Sequence, residues 1–256
     1  MKKITIQDIK NFKTKSSPFA TLTAYDFTSA QILDEVGVPL ILVGDSASMT
    51  IYGYDTTIPV SMEEMLLVVK AVTRGAVSSL VVADMPFLSY QTSIEDTILN
   101  AGTFIKDGGA GAVKLEGGKH VMKHIEALVN IGIPVLGHVG LTPQSYHQLS
   151  GYSIQGKTPR EAQKIIDDAN AVQESGAFGV VLECIPEGLA KEITSSLTIP
   201  TIGIGSGNNC DGQIQVFHDI VGLSKKPPPK HAKQYDNLYS NILNVVKQYK
   251  ADVEKS

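Results

Sequence analysis

At 256 residues, with 43% hydrophobic and 19% charged side chains, the chain is long enough for one large core and matches the ~250 residues typical of a (β/α)8 barrel. A formal charge of −4, without any basic block interleaved with aromatics, leaves no electrostatic footprint for nucleic acid, and no apolar stretch approaches the ~20 residues of a membrane span. The N-terminal MKKITIQDIKNF turns polar before a secretory core could form, so a cytoplasmic protein with Cys184 and Cys210 reduced is expected.

In chain order, residues 6–13 read as an extra helix ahead of the first strand, placed to plug the bottom of a barrel. Short apolar runs then alternate with amphipathic segments, the sequence form of repeated βα units. The runs are FATLTA from Phe19, PLILVG from Pro39, SLVVA from Ser79, GAVKL from Gly111, IPVLGH from Ile133, FGVVL from Phe178, IPTIGIG from Ile199 and QIQVFH from Gln213. Between them, Ser61 with Glu64 forms a capping box, and Thr142-Pro143 and Thr158-Pro159-Arg160-Glu161 each place a cap residue before a first-turn proline. The Pro-rich KKPPPK from Lys225 leads to a last helix over residues 234–254, whose apolar positions Leu238, Ile242, Val245 and Val246 predict one buried face, against the barrel or a neighbouring subunit. An open doubly wound sheet would fit the same alternation, but eight strands favour one closed (β/α)8 TIM barrel domain over residues 1–256.

Four of the runs end on an acid: LILVGD at Asp45, SLVVAD at Asp84, AVKLE at Glu116 and GVVLE at Glu183. Barrels keep their chemistry at the C-terminal ends of their strands, so these acids converge at one mouth, together with Ser46, Lys114 and His138. Carboxylates gathered there would repel each other unless a cation neutralised them, and a hard dication such as Mg2+ suits oxygen ligands from adjacent strands. Zinc fits less well, because no cysteine pair stands at ligand spacing. Each residue also has a plainer reading. An Asp after a strand is often a turn residue, Lys114 could be half of a structural ion pair, and His138 could be a hydrogen-bonded core histidine. Cys184 reads as a buried, unactivated thiol. The run IGIGSGN from Ile202 offers either backbone N–H groups for a phosphate or a close-packed turn, and the long segment ASMTIYGYDTTIP after Ser46 is a candidate lid.

Seven motifs in order resemble one family, ketopantoate hydroxymethyltransferase. They are TAYD from Thr23, LVGDS from Leu42, ADMPF from Ala83, VKLEGG from Val113, GHVGLTPQS from Gly137, LECIP from Leu182 and IGIGSGNNCDGQ from Ile202. The resemblance implies a Mg2+-dependent barrel that transfers a hydroxymethyl group from 5,10-methylenetetrahydrofolate to 3-methyl-2-oxobutanoate in pantothenate biosynthesis. It implies Asp45, Asp84 and Glu116 at the metal, Glu183 as proton acceptor, Asp45, Ser46, Asp84, Lys114 and His138 around the oxo acid, and a homo-oligomer, often a decamer.

Overall fold

The fold follows from eight short strands whose residues are almost all buried: β1 (Phe19–Thr23), β2 (Leu40–Val43), β3 (Leu80–Asp84), β4 (Ala112–Glu116), β5 (Val135–Gly140), β6 (Gly179–Glu183), β7 (Thr201–Ile204) and β8 (Gly212–Gln215). A strand buried on both faces must be sandwiched between an inner core and an outer layer of helices, and this pattern belongs to parallel sheets. In the computed structural model, which describes residues 2–15, 18–149 and 151–255, the strands run in sequence order as a closed parallel barrel. Closure is seen where the Phe19 N–H donates to the Asp211 carbonyl and the Thr21 hydroxyl to that of Gln213. The described residues fall into two compact units, Met1–Ile214 and Gln215–Ser256.

The barrel interior has an apolar floor and a charged upper level. Leu80, Val82, Ala112, Leu136, Val181, Ile202 and Ile214 form one buried cluster. Side chains two apart in a strand share a face. Asp84 therefore continues the inward row of Leu80 and Val82, Lys114 and Glu116 continue that of Ala112, His138 that of Leu136, and Glu183 that of Val181. Strand register aligns these rows, with Asp84 opposite Lys114 and Glu116 opposite His138.

The floor is sealed by the N-terminal segment, as its sequence suggests, though in two pieces: an α-helix Ile6–Lys10 and a 3-10 turn Asn11–Thr14. Ile9 is fully buried in the same cluster, and Phe12 stacks on Phe19. The capping boxes at Ser61 and Thr158 form as expected, opening helices Met62–Gly75 and Pro159–Glu174. At Thr142-Pro143 a helical segment starts as expected, first as a 3-10 turn, Pro143–Ser145, and then as a short helix, Tyr146–Leu149, but the Thr142 side chain makes no capping hydrogen bond and the Gln144 N–H donates to the Glu116 carboxylate. The last helix, Leu238–Lys255, starts later than expected, and none of its residues is buried within the single chain. No helix among the described residues is long and apolar enough to cross a membrane.

Truncating the plug tests this account of the floor. Ile9→Ala should cost about 2–5 kcal/mol through the cavity it leaves. The measurement is denaturant unfolding; a loss under ~1 kcal/mol would show that the segment rests on the barrel without contributing to its core.

Candidate active site

The site is the charged upper level of the barrel together with the loops that follow β2 and β5. Asp84, Lys114, Glu116 and His138 lie within strands, Glu183 ends β6, and Asp45 stands two residues beyond β2. Asp45, Asp84, Lys114, Glu116 and His138 are all at least 95% buried, whereas the Glu183 side chain is 16% exposed. The structure therefore brings together the charged residues that the sequence marks, and leaves Glu183 as the acid that reaches the opening.

Lys114 is the hub. Its ammonium donates to Asp84 Oδ1 at 2.6 Å and lies 3.7 Å from Glu116 Oε1. Burial opposes its charge, but Asp84, Glu116 and Asp45 outweigh that and raise its pKa, so it is a permanent cation. Asp84 Oδ2 also accepts the Asp45 N–H at 3.1 Å, which ties the β2 loop to β3. Asp45 is the group most strongly driven toward protonation, by burial first and then by the charges of Asp84 and Glu116. Asp84 moves in the same direction, burial again leading. Glu116 moves the other way: burial raises its pKa, but His138, Lys114 and the Gln144 N–H more than compensate, so it is ionised.

His138 sits between two acids, with Nδ1 3.3 Å from Glu116 Oε1 and Nε2 3.1 Å from Glu183 Oε2. The angles fall short of hydrogen-bond geometry, so these ring nitrogens and Glu116 Oε1 have no strict hydrogen-bond partner. The distances make each contact an ion pair. Burial and the nearby Lys114 charge depress the His138 pKa, yet Glu116 and Glu183 prevail and move it to about 9. The ring is therefore an imidazolium at neutral pH, and both its nitrogens face protein carboxylates.

Loop backbones adapt to this array at two glycine pivots. Gly117 turns the chain out of β4 with φ +124, and Gly140 leaves β5 with φ +95, where a Cβ would meet the Glu183 carbonyl at 2.3 Å. Beside them opens a cleft of about 450 Å3 lined by Gly117, Val139, Gly140, Thr142 and Gln155. Neither this cleft nor a larger recess of about 530 Å3 between Lys119, Arg160 and Lys164 is lined by any of the strand-end acids.

Other candidates resolve differently. Ser46 is half-buried and hydrogen-bonded to the Tyr25 hydroxyl at 2.7 Å. Cys184 is half-buried rather than buried, at φ +47, and its thiol is pushed up to about 11 by burial and Glu183, so it is no activated nucleophile. In the Gly-rich turn the Glu187 carboxylate accepts from the Asn208 N–H and the Asn209 amide, which is a closed turn rather than an open anion cradle. The candidate lid begins with a short helix, Ala47–Thr50, and is held by Ser48 on the Thr56 carbonyl and Tyr52 on that of Glu64. Two residues escaped the sequence reading: Gln144, which contacts both Asp45 and Glu116, and Tyr90, whose hydroxyl meets the Glu116 backbone. Neutral side chains in polar loops carry no pattern that would mark them.

Residues 3–256 match the family model described as ketopantoate hydroxymethyltransferase. The chain belongs to this family. A 3-methyl-2-oxobutanoate hydroxymethyltransferase from Carboxydothermus hydrogenoformans is 52% identical over 255 residues, covering 100% of this chain and 92% of the relative. Another of that name from Geobacter metallireducens is 51% identical, covering 99% and 95%. Among solved structures, a phosphoenolpyruvate phosphomutase from Streptomyces platensis subsp. rosaceus has a TM-score of 0.66 at 12% identity, covering 98% of this chain and 88% of that one. A phosphonopyruvate hydrolase solved with oxalate and Mg2+ has a TM-score of 0.65 at 12% identity, covering 98% and 87%. At such identities the likeness shows the shared barrel alone.

The histidine gives a direct test of the site's electrostatics. Nitrogen-15 NMR of the cation-free protein should show both His138 ring nitrogens protonated at neutral pH, with a midpoint about 9. Because folding raises this pKa from 6.5, its contribution to stability is complete below about pH 6.5 and is lost as pH rises through about 9. A midpoint at or below the ordinary histidine value would contradict the two ion pairs.

Proposed function

We propose that this chain transfers a hydroxymethyl group from 5,10-methylenetetrahydrofolate to 3-methyl-2-oxobutanoate, giving 2-dehydropantoate and tetrahydrofolate, with Mg2+ held by Asp45 and Asp84 and with Glu116 in the same cluster. The observation that carries the metal reading is a charge imbalance. Four carboxylates, Asp45, Asp84, Glu116 and Glu183, face two cations, Lys114 and His138, in a buried layer. Among the described residues no three His, Cys, Asp or Glu side chains converge as a ready-made chelate. Mg2+ does not require one, since it commonly takes one or two carboxylates and completes its shell with water and substrate oxygens.

A dication at Asp45 and Asp84 would polarise the keto group of the oxo acid and so provide the electron sink for loss of the C3 proton. The remaining work falls to the protein's own groups. Glu183, the acid nearest the opening, takes the C3 proton at a carboxylate oxygen, while His138 fixes that carboxylate from the side of Oε2. Lys114 supplies positive charge beside the developing enolate. Water opens the donor's methylene bridge, releasing tetrahydrofolate and a one-carbon unit at the formaldehyde level. The electron pair freed at C3 forms the carbon–carbon bond to that carbon, and its oxygen takes back the proton held by Glu183 to become the product hydroxyl.

A cytoplasmic homo-oligomer, by resemblance a decamer, completes this reading. Exposed Ile242, Leu243, Val246 and Tyr249 on the last helix support an assembled state, because such residues are normally covered.

Two variants separate metal from base. Glu183→Gln should slow both turnover and exchange of the C3 hydrogen with deuterated water by ~10²- to 10⁴-fold, with Mg2+ affinity nearly unchanged. Proton NMR reads the exchange, and a wild-type exchange rate would remove Glu183 from the base role. Asp84→Ala should weaken Mg2+ and oxo acid together in calorimetry; unaltered Mg2+ affinity would place the metal elsewhere.

A further inference from the structure

The motif GHVGLTPQS contributes His138 to the mechanism, but its penultimate residue lies deeper in the array than a loop glutamine ordinarily would. Gln144 is 5% exposed, and every polar atom of its side chain is engaged. Its Nε2 donates to Asp45 Oδ2 at 3.0 Å and to the Met85 carbonyl at 2.8 Å. Its Oε1 accepts from the Tyr90 hydroxyl at 2.9 Å and from Gln91 Nε2 at 3.0 Å. Its backbone N–H donates to Glu116 Oε2 at 3.0 Å.

These contacts leave the amide one orientation. The Met85 carbonyl can only accept, so the amide nitrogen must face it, and a flipped amide would set two acceptors against each other. The other end is fixed by Tyr90. Its hydroxyl accepts the Glu116 N–H at 3.1 Å and offers its single proton to Gln144 Oε1 at 2.9 Å, the shorter of two contacts, the other being the Glu116 carbonyl at 3.1 Å.

We propose that Gln144 is a positioning residue of the metal site, holding Asp45 with its side-chain amide and Glu116 with its backbone N–H in the arrangement that receives the dication, without ligating it. The inference rests on the proposed Mg2+ site. The physical reason is that Asp45 lies beyond the end of β2, where no strand ladder fixes it. The Asp84 contact holds the Asp45 backbone but not its carboxylate, and a buried carboxylate without a donor of its own would turn toward whichever one it could reach, such as Lys114, and collapse the site. Gln144 offers it a neutral donor. That fixes its direction without supplying a positive charge that would compete with the metal. Tyr90 and Gln91 in turn keep the amide from rotating, so a loop after β3 and a loop after β5 jointly fix an acid after β2. Groups standing behind metal ligands in this way are commonly worth 10- to 100-fold in metal affinity or activity.

Two variants test it. Gln144→Met keeps the chain length and the backbone N–H but removes both amide donors. Tyr90→Phe leaves Gln144 in place and removes only the hydroxyl that holds it. Each is titrated with Mg2+ alone by calorimetry and melted without Mg2+. The expected result is a 10- to 100-fold weaker Mg2+ affinity for Gln144→Met and a smaller loss for Tyr90→Phe, with turnover recovering as Mg2+ is raised, because Gln144 touches no reacting atom. A merely structural role would lower the melting temperature and leave Mg2+ affinity of the folded protein within twofold of wild type, and that result overturns the proposal. If Gln144→Met does not fold, Tyr90→Phe decides by the same criterion. Failure of the wild-type protein to bind Mg2+ would remove the metal reading itself, and this inference with it.

Discussion

Charge taken out of water has to be matched, and at the mouth of this barrel the acids outnumber the bases. Lys114 is close to Asp84 and Glu116, and His138 to Glu116 and Glu183, which leaves Asp45 with a neutral amide as its side-chain partner. The interaction on which the rest depends is the buried Lys114–Asp84 pair. Breaking one partner of such a pair leaves an uncompensated charge, a loss of about 3–5 kcal/mol in comparable settings. Here it also orders the layer: it fixes Asp84, which through its second oxygen fixes the Asp45 backbone. The imbalance is tolerable to the fold because Asp45 can take up a proton, and in the proposed reaction a dication would replace that proton.

The barrel makes such a layer affordable by separating its tasks along one axis. Inward positions near the strand starts are Leu, Val, Ala and Ile, packed beneath Ile9; the same inward rows two to four residues later are Asp, Lys, Glu and His. Packing energy is thus gathered at one end and electrostatic tension at the other. The tension is further confined by glycine turns after β4 and β5, which release the chain sharply and bring Gln144 back over the acids.

Much of this was legible in the sequence because burial on both faces and a charged terminus are both local signals. The strands from Phe19 to Gly212 begin within two residues of where their apolar runs begin, and the acids that close LVGD, VVAD, VKLE and VVLE meet in one layer. The departures have physical causes. Thr142 opens a helical segment as its pattern says, but the first-turn N–H of Gln144 is capped by the distant Glu116 carboxylate and not by Thr142, and no local pattern encodes that. Gln144 and Tyr90 were silent because neutral polar residues in a loop look alike whether they face water or a buried acid. The last helix has the expected periodicity, but periodicity states which face is apolar and not what covers it. The Gly-rich turn after β7 looked open to an anion because Glu187, which closes it, lies on a different element.

If a shortfall of positive charge organises the site, the two small ligands must depend on each other. Titration calorimetry with 3-methyl-2-oxobutanoate, with Mg2+ present and with Mg2+ removed by chelation, measures that dependence directly. The account expects oxo-acid affinity to rise at least tenfold with Mg2+, and Mg2+ affinity to rise by the same factor with the oxo acid, as linkage demands. Equal oxo-acid binding in the two conditions would mean that Lys114 and its neighbours satisfy the ligand alone, and would contradict it.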